Sequence, residues 1–168
     1  MIRKILFFTL FIFTATCSPN NKGNNTPEEL GITIFQSFLN NNIEEFKKYI
    51  MTADDFIKLL DSSSYSEKKK AKYIIKYNND IPVIYKQIVN DFTLVKDEAK
   101  NNKIDWDKIE FEKIEYKDGR SIYMRYAHIN LIFNYNGTKY FIRLNDCLNT
   151  ARGWLISGNV YLSVYPVY

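Results

Sequence analysis

Thiol and imidazole chemistry in this chain rests on three side chains: two cysteines, Cys17 and Cys147, and a single histidine, His128. A catalytic thiol needs a base beside it and an electropositive setting that lowers its pKa. Cys147 and His128 both fall in segments with strand-like alternation, and neighbouring strands could bring them together. The competing reading of Cys147 is a buried, inert thiol. Metal chemistry has less to work with, because the His and Cys residues lack the paired spacing of a zinc site. There is no Gly-rich phosphate loop and no Gly-x-Ser-x-Gly elbow. These residues imply no cofactor, no metal and no catalytic set.

Cys17 carries a different chemistry. Arg3 and Lys4 precede an apolar run from Ile5 to Phe13, and the small segment Thr14-Ala15-Thr16 leads into the cysteine. Those are the three parts of an export signal. The apolar run, about nine residues, is far short of the roughly 20 that cross a bilayer as a helix. Thr14-Ala15-Thr16-Cys17 resembles the attachment signal of bacterial lipoproteins, with Thr14 in place of an aliphatic residue and Thr16 in place of Gly, Ala or Ser. The resemblance implies a signal peptide over residues 1–16 and lipidation of Cys17. It places an exported protein at the bacterial cell envelope, anchored to the membrane by lipid. Residues 17–25 then read as a flexible tether, since Ser18 to Asn25 holds no aliphatic or aromatic side chain. Cleavage by an ordinary signal peptidase, releasing a soluble protein, is the alternative ending.

Residues 26–168 are long enough for one domain with its own core. Aromatic residues make up 16% of the chain, 13 of them Tyr and 12 Phe, so ring packing must dominate that core. Removing Arg3 and Lys4 lowers Lys plus Arg from 23 to 21 against 19 acids. So even a charge balance gives no basic face for nucleic acid, and no nucleic-acid partner is expected. The dense run Lys68-Lys69-Lys70-Ala71-Lys72 reads as a solvated helix face.

The elements that must position any site follow from caps and periodicity. Thr26-Pro27-Glu28-Glu29 is a helix start, and Leu30, Ile34, Phe35, Phe38 and Leu39 repeat at helical spacing. Asn42 and Thr52 cap two shorter helices. A basic helix from Ser66 to about Tyr77 is expected to turn Ala71, Ile74 and Ile75 inward. The longest helix runs from Asn79 to about Asn101, with Ile81, Tyr85, Ile88, Phe92, Val95 and Ala99 in one stripe. From Asp105 the period drops to two. Asp118-Gly119 and Asn136-Gly137 predict hairpin turns, giving strands at about 108–116, 121–135, 138–148 and 154–164. Parity changes once in each of the first two strands, between Phe111 and Ile114 and between Tyr126 and Ala127. That predicts bulges, or burial of both faces, in a strongly curved sheet.

The predicted fold class is therefore α+β, with N-terminal helices packed on a curved four-stranded antiparallel sheet. This order of elements, with the strand textures Tyr140-Phe-Ile-Arg-Leu-Asn-Asp-Cys147 and Gly153-Trp-Leu-Ile-Ser-Gly158, resembles the nuclear transport factor 2-like group of cystatin-like cone folds. The resemblance implies a cavity between the concave sheet and the helices. Tyr126, His128, Tyr140, Asp146 and Trp154 are the residues expected to line a ligand site there. Asp146 shares strand parity with Tyr140, Ile142 and Leu144, the expected core side; the competing reading is that it lies where the strand emerges into the turn, and His128 falls on the more exposed side with Asn130 and Asn134. The function expected is a membrane-tethered, non-catalytic module that binds a small molecule or a protein partner. The alternative is an isomerase- or hydratase-like enzyme using a pocket carboxylate and a tyrosine.

Overall fold

The first three helices begin where a side chain occupies a free backbone N–H group of the first turn. The computed structural model describes residues 24–121 and 124–165. Cys17 and the leader lie outside the described residues. In helix α1 (Pro27–Leu39) the Thr26 hydroxyl accepts the Glu29 N–H at 3.1 Å, with Pro27 at the first position. Asn42 caps α2 (Ile43–Lys47) through the Glu45 N–H at 3.0 Å. Thr52 and Asp55 form a reciprocal capping box on α3 (Ala53–Asp61). Helices α4 (Glu67–Tyr77) and α5 (Asp80–Asn101) follow without side-chain caps, and α5 buries Ile81, Ile88, Phe92, Val95 and Ala99, the predicted stripe.

A 3-10 turn at Trp106–Lys108 leads into a curved antiparallel sheet of β1 (Glu110–Arg120), β2 (Arg125–Tyr135), β3 (Thr138–Thr150), β4 (Gly153–Ile156) and β5 (Val160–Val164). Strand β3 is its centre: β2 pairs along one edge, and β4 and β5 share the other. Asn136 and Gly137 turn β2 into β3 with φ of 48° and 77°, the positive pair a tight hairpin needs. The free side of β4 is tied to the segment after α2, where the Met51 N–H reaches the Ile156 carbonyl and the Ile156 N–H reaches Tyr49, each at 2.8 Å. Asn24 also joins β4, its carbonyl accepting the Trp154 N–H at 2.7 Å.

Three sequence expectations need correction. The first hairpin does not turn at Asp118-Gly119. Both residues lie inside β1, opposite Ala127 and Tyr126, and the chain reverses where the Ser121 N–H bonds the Met124 carbonyl at 2.9 Å. Gly119 has another use: a Cβ there would run into the Tyr126 ring. Secondly, the last strand is two strands, broken at Ser157-Gly158-Asn159 opposite a bulge at Asn145-Asp146. The sheet therefore has five strands. Thirdly, α4 does not turn Ala71 and Ile75 inward; Ile75 is 77% exposed, and Tyr73, Ile74 and Tyr77 make the packing contacts.

The bulge in β1 falls where parity predicted it, at Glu112–Lys113 between Phe111 and Ile114. The second irregularity lies beside the predicted place but on the partner strand. Ile129 pairs with Leu144 and Ala127 with Cys147, so β3 carries the extra residue. Strand β2 itself alternates cleanly from Ala127 to Phe133 on the core side, and Tyr126 points to the opposite face. Both faces are covered at this end of the sheet, which is why apolar residues occur at both parities.

Two cores result. On one face α1, α2 and α5 pack Phe35, Phe38, Phe46 and Phe92 against Ile129, Phe133, Ile142 and Leu144. Phe38, Phe46 and Phe92 meet with ring centroids 4.7 to 5.6 Å apart. Each such ring contributes about 1.5–3 kcal/mol of burial, so this cluster dominates stability. On the reverse face α3, α4 and the first turn of α5 pack Phe56, Leu60, Tyr73 and Ile81 against Leu148 and Leu155. The register confirms the two faces: Ala127, Cys147 and Ile156 align across strands on one, Tyr126, Leu148 and Leu155 on the other.

Candidate functional site

Two buried carboxylates fix the helices that shape the site. Asp55 of α3 is 4% exposed and takes a two-pronged contact from Arg152 in the β3–β4 turn, Nε and Nη2 each at 2.7 Å. Arg152 also bonds the Lys48 and Ile50 carbonyls at 3.2 and 3.4 Å. Burial raises the Asp55 carboxyl, but Arg152 and the Thr52 N–H and hydroxyl outweigh it and hold the group below the ordinary carboxylate value. Asp91 of α5 accepts the buried Val160 N–H at 2.8 Å and the Gln87 amide at 2.8 Å, joining α5 to β5.

Between α3, α4 and the reverse face of the sheet lies a cleft of about 540 Å³. Phe56 and Leu60 stand one turn apart on α3, and Tyr73 and Tyr77 one turn apart on α4. Tyr65 precedes α4, and Ile81 and Ile84 come from the first turns of α5. The rings support one another: Phe56 meets Tyr77 edge-on at 5.3 Å, Tyr65 meets Tyr73 at 5.2 Å, and Tyr73 stacks on Tyr77 at 6.0 Å. The floor is Tyr126 and Leu148 from the sheet, and Met51 and Met124 complete the apolar lining. Besides the tyrosines, the polar residues of its lining are Ser121, Ser157 and Asp146.

Asp146 owes its place to the bulge. Its backbone adopts φ of 50°, a region open to Asp and Asn more readily than to most residues. Its carbonyl accepts the Ser157 N–H at 3.1 Å and the Ser157 hydroxyl. Its N–H donates to His128 Nδ1 at 3.3 Å, and its carboxylate Oδ1 stands 3.8 Å from that same nitrogen. His128 Nδ1 is therefore an acceptor, which places the neutral ring's proton on Nε2. The His128 ring meets Tyr126 edge-on at 5.9 Å.

Of the five residues expected to line a site, the structure gathers Tyr126, His128 and Asp146 and separates the other two. Asp146 is not on the core side that its parity predicted; the bulge shifts it outward, and its side chain is 65% exposed. Tyr140 is buried in the main core, stacked on Phe133 at 5.7 Å. It lies six residues along β3 from Asp146, about 20 Å in an extended strand, too far for a joint acid–base role. Trp154 is 1% exposed, also in the main core, with the Arg125 guanidinium 5.6 Å from its ring. Strand alternation alone could not reveal that α1 and α5 would cover these two residues completely.

The implied cavity between the concave sheet and the helices is filled by Phe38, Phe46, Phe92 and Phe133. Cys147 is fully buried there, its thiol pushed far up by burial, and His128 lies on the other face with Tyr126. The two do not form a catalytic pair. Among the described residues, no group of three His, Cys, Asp or Glu side chains is placed to hold a metal ion. The residues that sequence reasoning overlooked are Phe56, Tyr65, Tyr73 and Tyr77. The Tyr73/Tyr77 pair at helical spacing was the available signal, masked by the more apolar Ile74-Ile75 beside it.

Compared with protein-family models, with curated proteins and with solved structures, the chain matches none.

Proposed function

We propose that this protein is a non-catalytic binding module, held at the bacterial cell envelope through lipidated Cys17, that takes a small, largely apolar molecule into the α3–α4 cleft. The observation that carries the reading is the cleft itself. Five aromatic rings and two methionines converge on a volume suited to a small organic ligand, with few polar groups among them. The main core, by contrast, is packed shut. Helices followed by a bent antiparallel sheet support kinship with the nuclear transport factor 2-like cones, with the binding site moved to the reverse face of the sheet. An acid–base enzyme is the weaker reading, because the carboxylate at the cleft is open to water and Tyr140 is remote from it.

Met51 and Met124 both line the cleft, and the sequence holds only 3 methionines. Methyl-labelled methionine therefore gives a nearly background-free NMR probe. Titrating the full chain in phospholipid nanodiscs with 4-phenylbutanol should shift both methyl resonances saturably. Unmoved resonances would exclude the cleft as a binding site. The anchor has its own test: Cys17→Ala abolishes labelling by a fatty-acid analogue and releases the protein from the membrane fraction. Continued labelling of that variant would refute it.

A further inference from the structure

The cleft is not only apolar; its charge has one sign. Among the described residues, Asp146 is the sole charged one in its lining. Asp146 comes from the sheet side, its carboxylate Oδ1 3.8 Å from His128 Nδ1, and the aromatic rings of α3 and α4 line the same cleft. Tyrosine faces attract cations through the negative side of the ring quadrupole, and these tyrosines already do so on the surface. Lys69 Nζ lies 4.4 Å from the Tyr65 ring centre and 5.9 Å from Tyr73, and Lys76 Nζ lies 4.8 Å from Tyr77. Neither lysine lines the cleft. Among the described residues, a guest meets aromatic rings and one carboxylate, and no lysine or arginine lines the cleft.

We infer that the ligand class is a small organic monocation, an amine or quaternary ammonium on an alkyl or aryl body, with Asp146 as its counter-ion. The inference rests on the cleft being the binding site, and it specifies what enters. An anion of the same body is disfavoured by the Asp146 charge. A neutral molecule gains the apolar contacts and loses the ion pair and the cation–π contact. A neutral isostere should therefore bind about tenfold more weakly than the cation.

Three probes with one phenylbutyl body and three charges separate the possibilities: 4-phenylbutylammonium, 4-phenylbutanol and 4-phenylbutyrate. Each is titrated into the full chain in nanodiscs, with the Met51 and Met124 methyl signals as readout and empty discs as the partition reference. The expected order is cation tightest, alcohol about tenfold weaker, carboxylate weakest. Asp146→Asn, which keeps a residue suited to the positive φ, should lower the cation-to-alcohol ratio several-fold, the remainder coming from the cation–π contact. Its ligand-free Met51 and Met124 signals report that the fold is intact. Equal binding of cation and alcohol by the wild type, or a ratio unaffected by Asp146→Asn, would overturn the cationic class while leaving the cleft as a site. Silence of both methionines with all three probes would overturn the cleft reading and this inference together.

Discussion

Asp55 and Arg152 illustrate how much one pair of side chains can hold in place. Their contact joins the first turn of α3 to the β3–β4 turn, with Arg152 also bonded to the Lys48 and Ile50 carbonyls. Asp55→Asn removes the counter-charge of a partly exposed Arg152 and its two-pronged contact. The variant should cost about 2 kcal/mol in urea unfolding, and an unchanged midpoint would show the pair to be dispensable. The pair also sets a pH dependence. The folded carboxyl is held below its ordinary value, so the unfolded chain takes up the proton first. The stabilisation is complete above the ordinary carboxylate range and drains away as pH falls through the depressed folded value. Stability curves of wild type and Asp55→Asn should converge in acid; parallel curves would contradict the assignment. Nothing in the sequence pairs these two residues, which are 97 positions apart; only the packing of α3 on the sheet brings them together.

At the scale of elements, helix starts were legible because caps are local: Thr26, Asn42 and Thr52 bond to N–H groups three residues on. The α5 stripe and the β1 bulge were legible because each leaves a periodic trace. Positions whose meaning depends on a distant neighbour were not. Asp118-Gly119 has the composition of a hairpin turn, yet Gly119 serves to accommodate the Tyr126 ring across the strand. Helix α4 carries isoleucines and tyrosines on adjoining faces, and only docking against Phe56 decides that the tyrosines turn inward. Two predictions follow from this docking. Ile75→Ser, on the solvent side, should leave thermal unfolding within about 0.5 kcal/mol of wild type. Gly31→Val should loosen α1 from the sheet, since even a Cβ at Gly31 would approach Ile114 Cδ1 to 2.9 Å and Leu131 Cδ2 to 3.0 Å. Overpacking of that kind costs about 1–3 kcal/mol, and a wild-type melting temperature would show that the contact yields freely.

The whole molecule is a sheet with two unequal coverings. One is a dense phenylalanine core that supplies stability; the other is an aromatic layer of α3 and α4 that leaves a cleft open. The β3 bulge links the two. It passes the core side from Tyr140, Ile142 and Leu144 to Cys147, frees Leu148 for the reverse face and holds Asp146 at the cleft. The α+β class was readable from sequence because the shift from helical to alternating period is abrupt. The location of the site was not, because the resemblance to the cone folds placed it in the space that Phe38, Phe46, Phe92 and Phe133 fill.

Native mass spectrometry of the protein purified from its own host, released from the membrane in mild detergent, tests the central claim most directly. The account predicts the protein mass plus one small, positively charged organic molecule, with that increment missing from a variant carrying Tyr73→Ala and Tyr126→Ala. A bare protein mass, or an increment that persists in the variant, would contradict it.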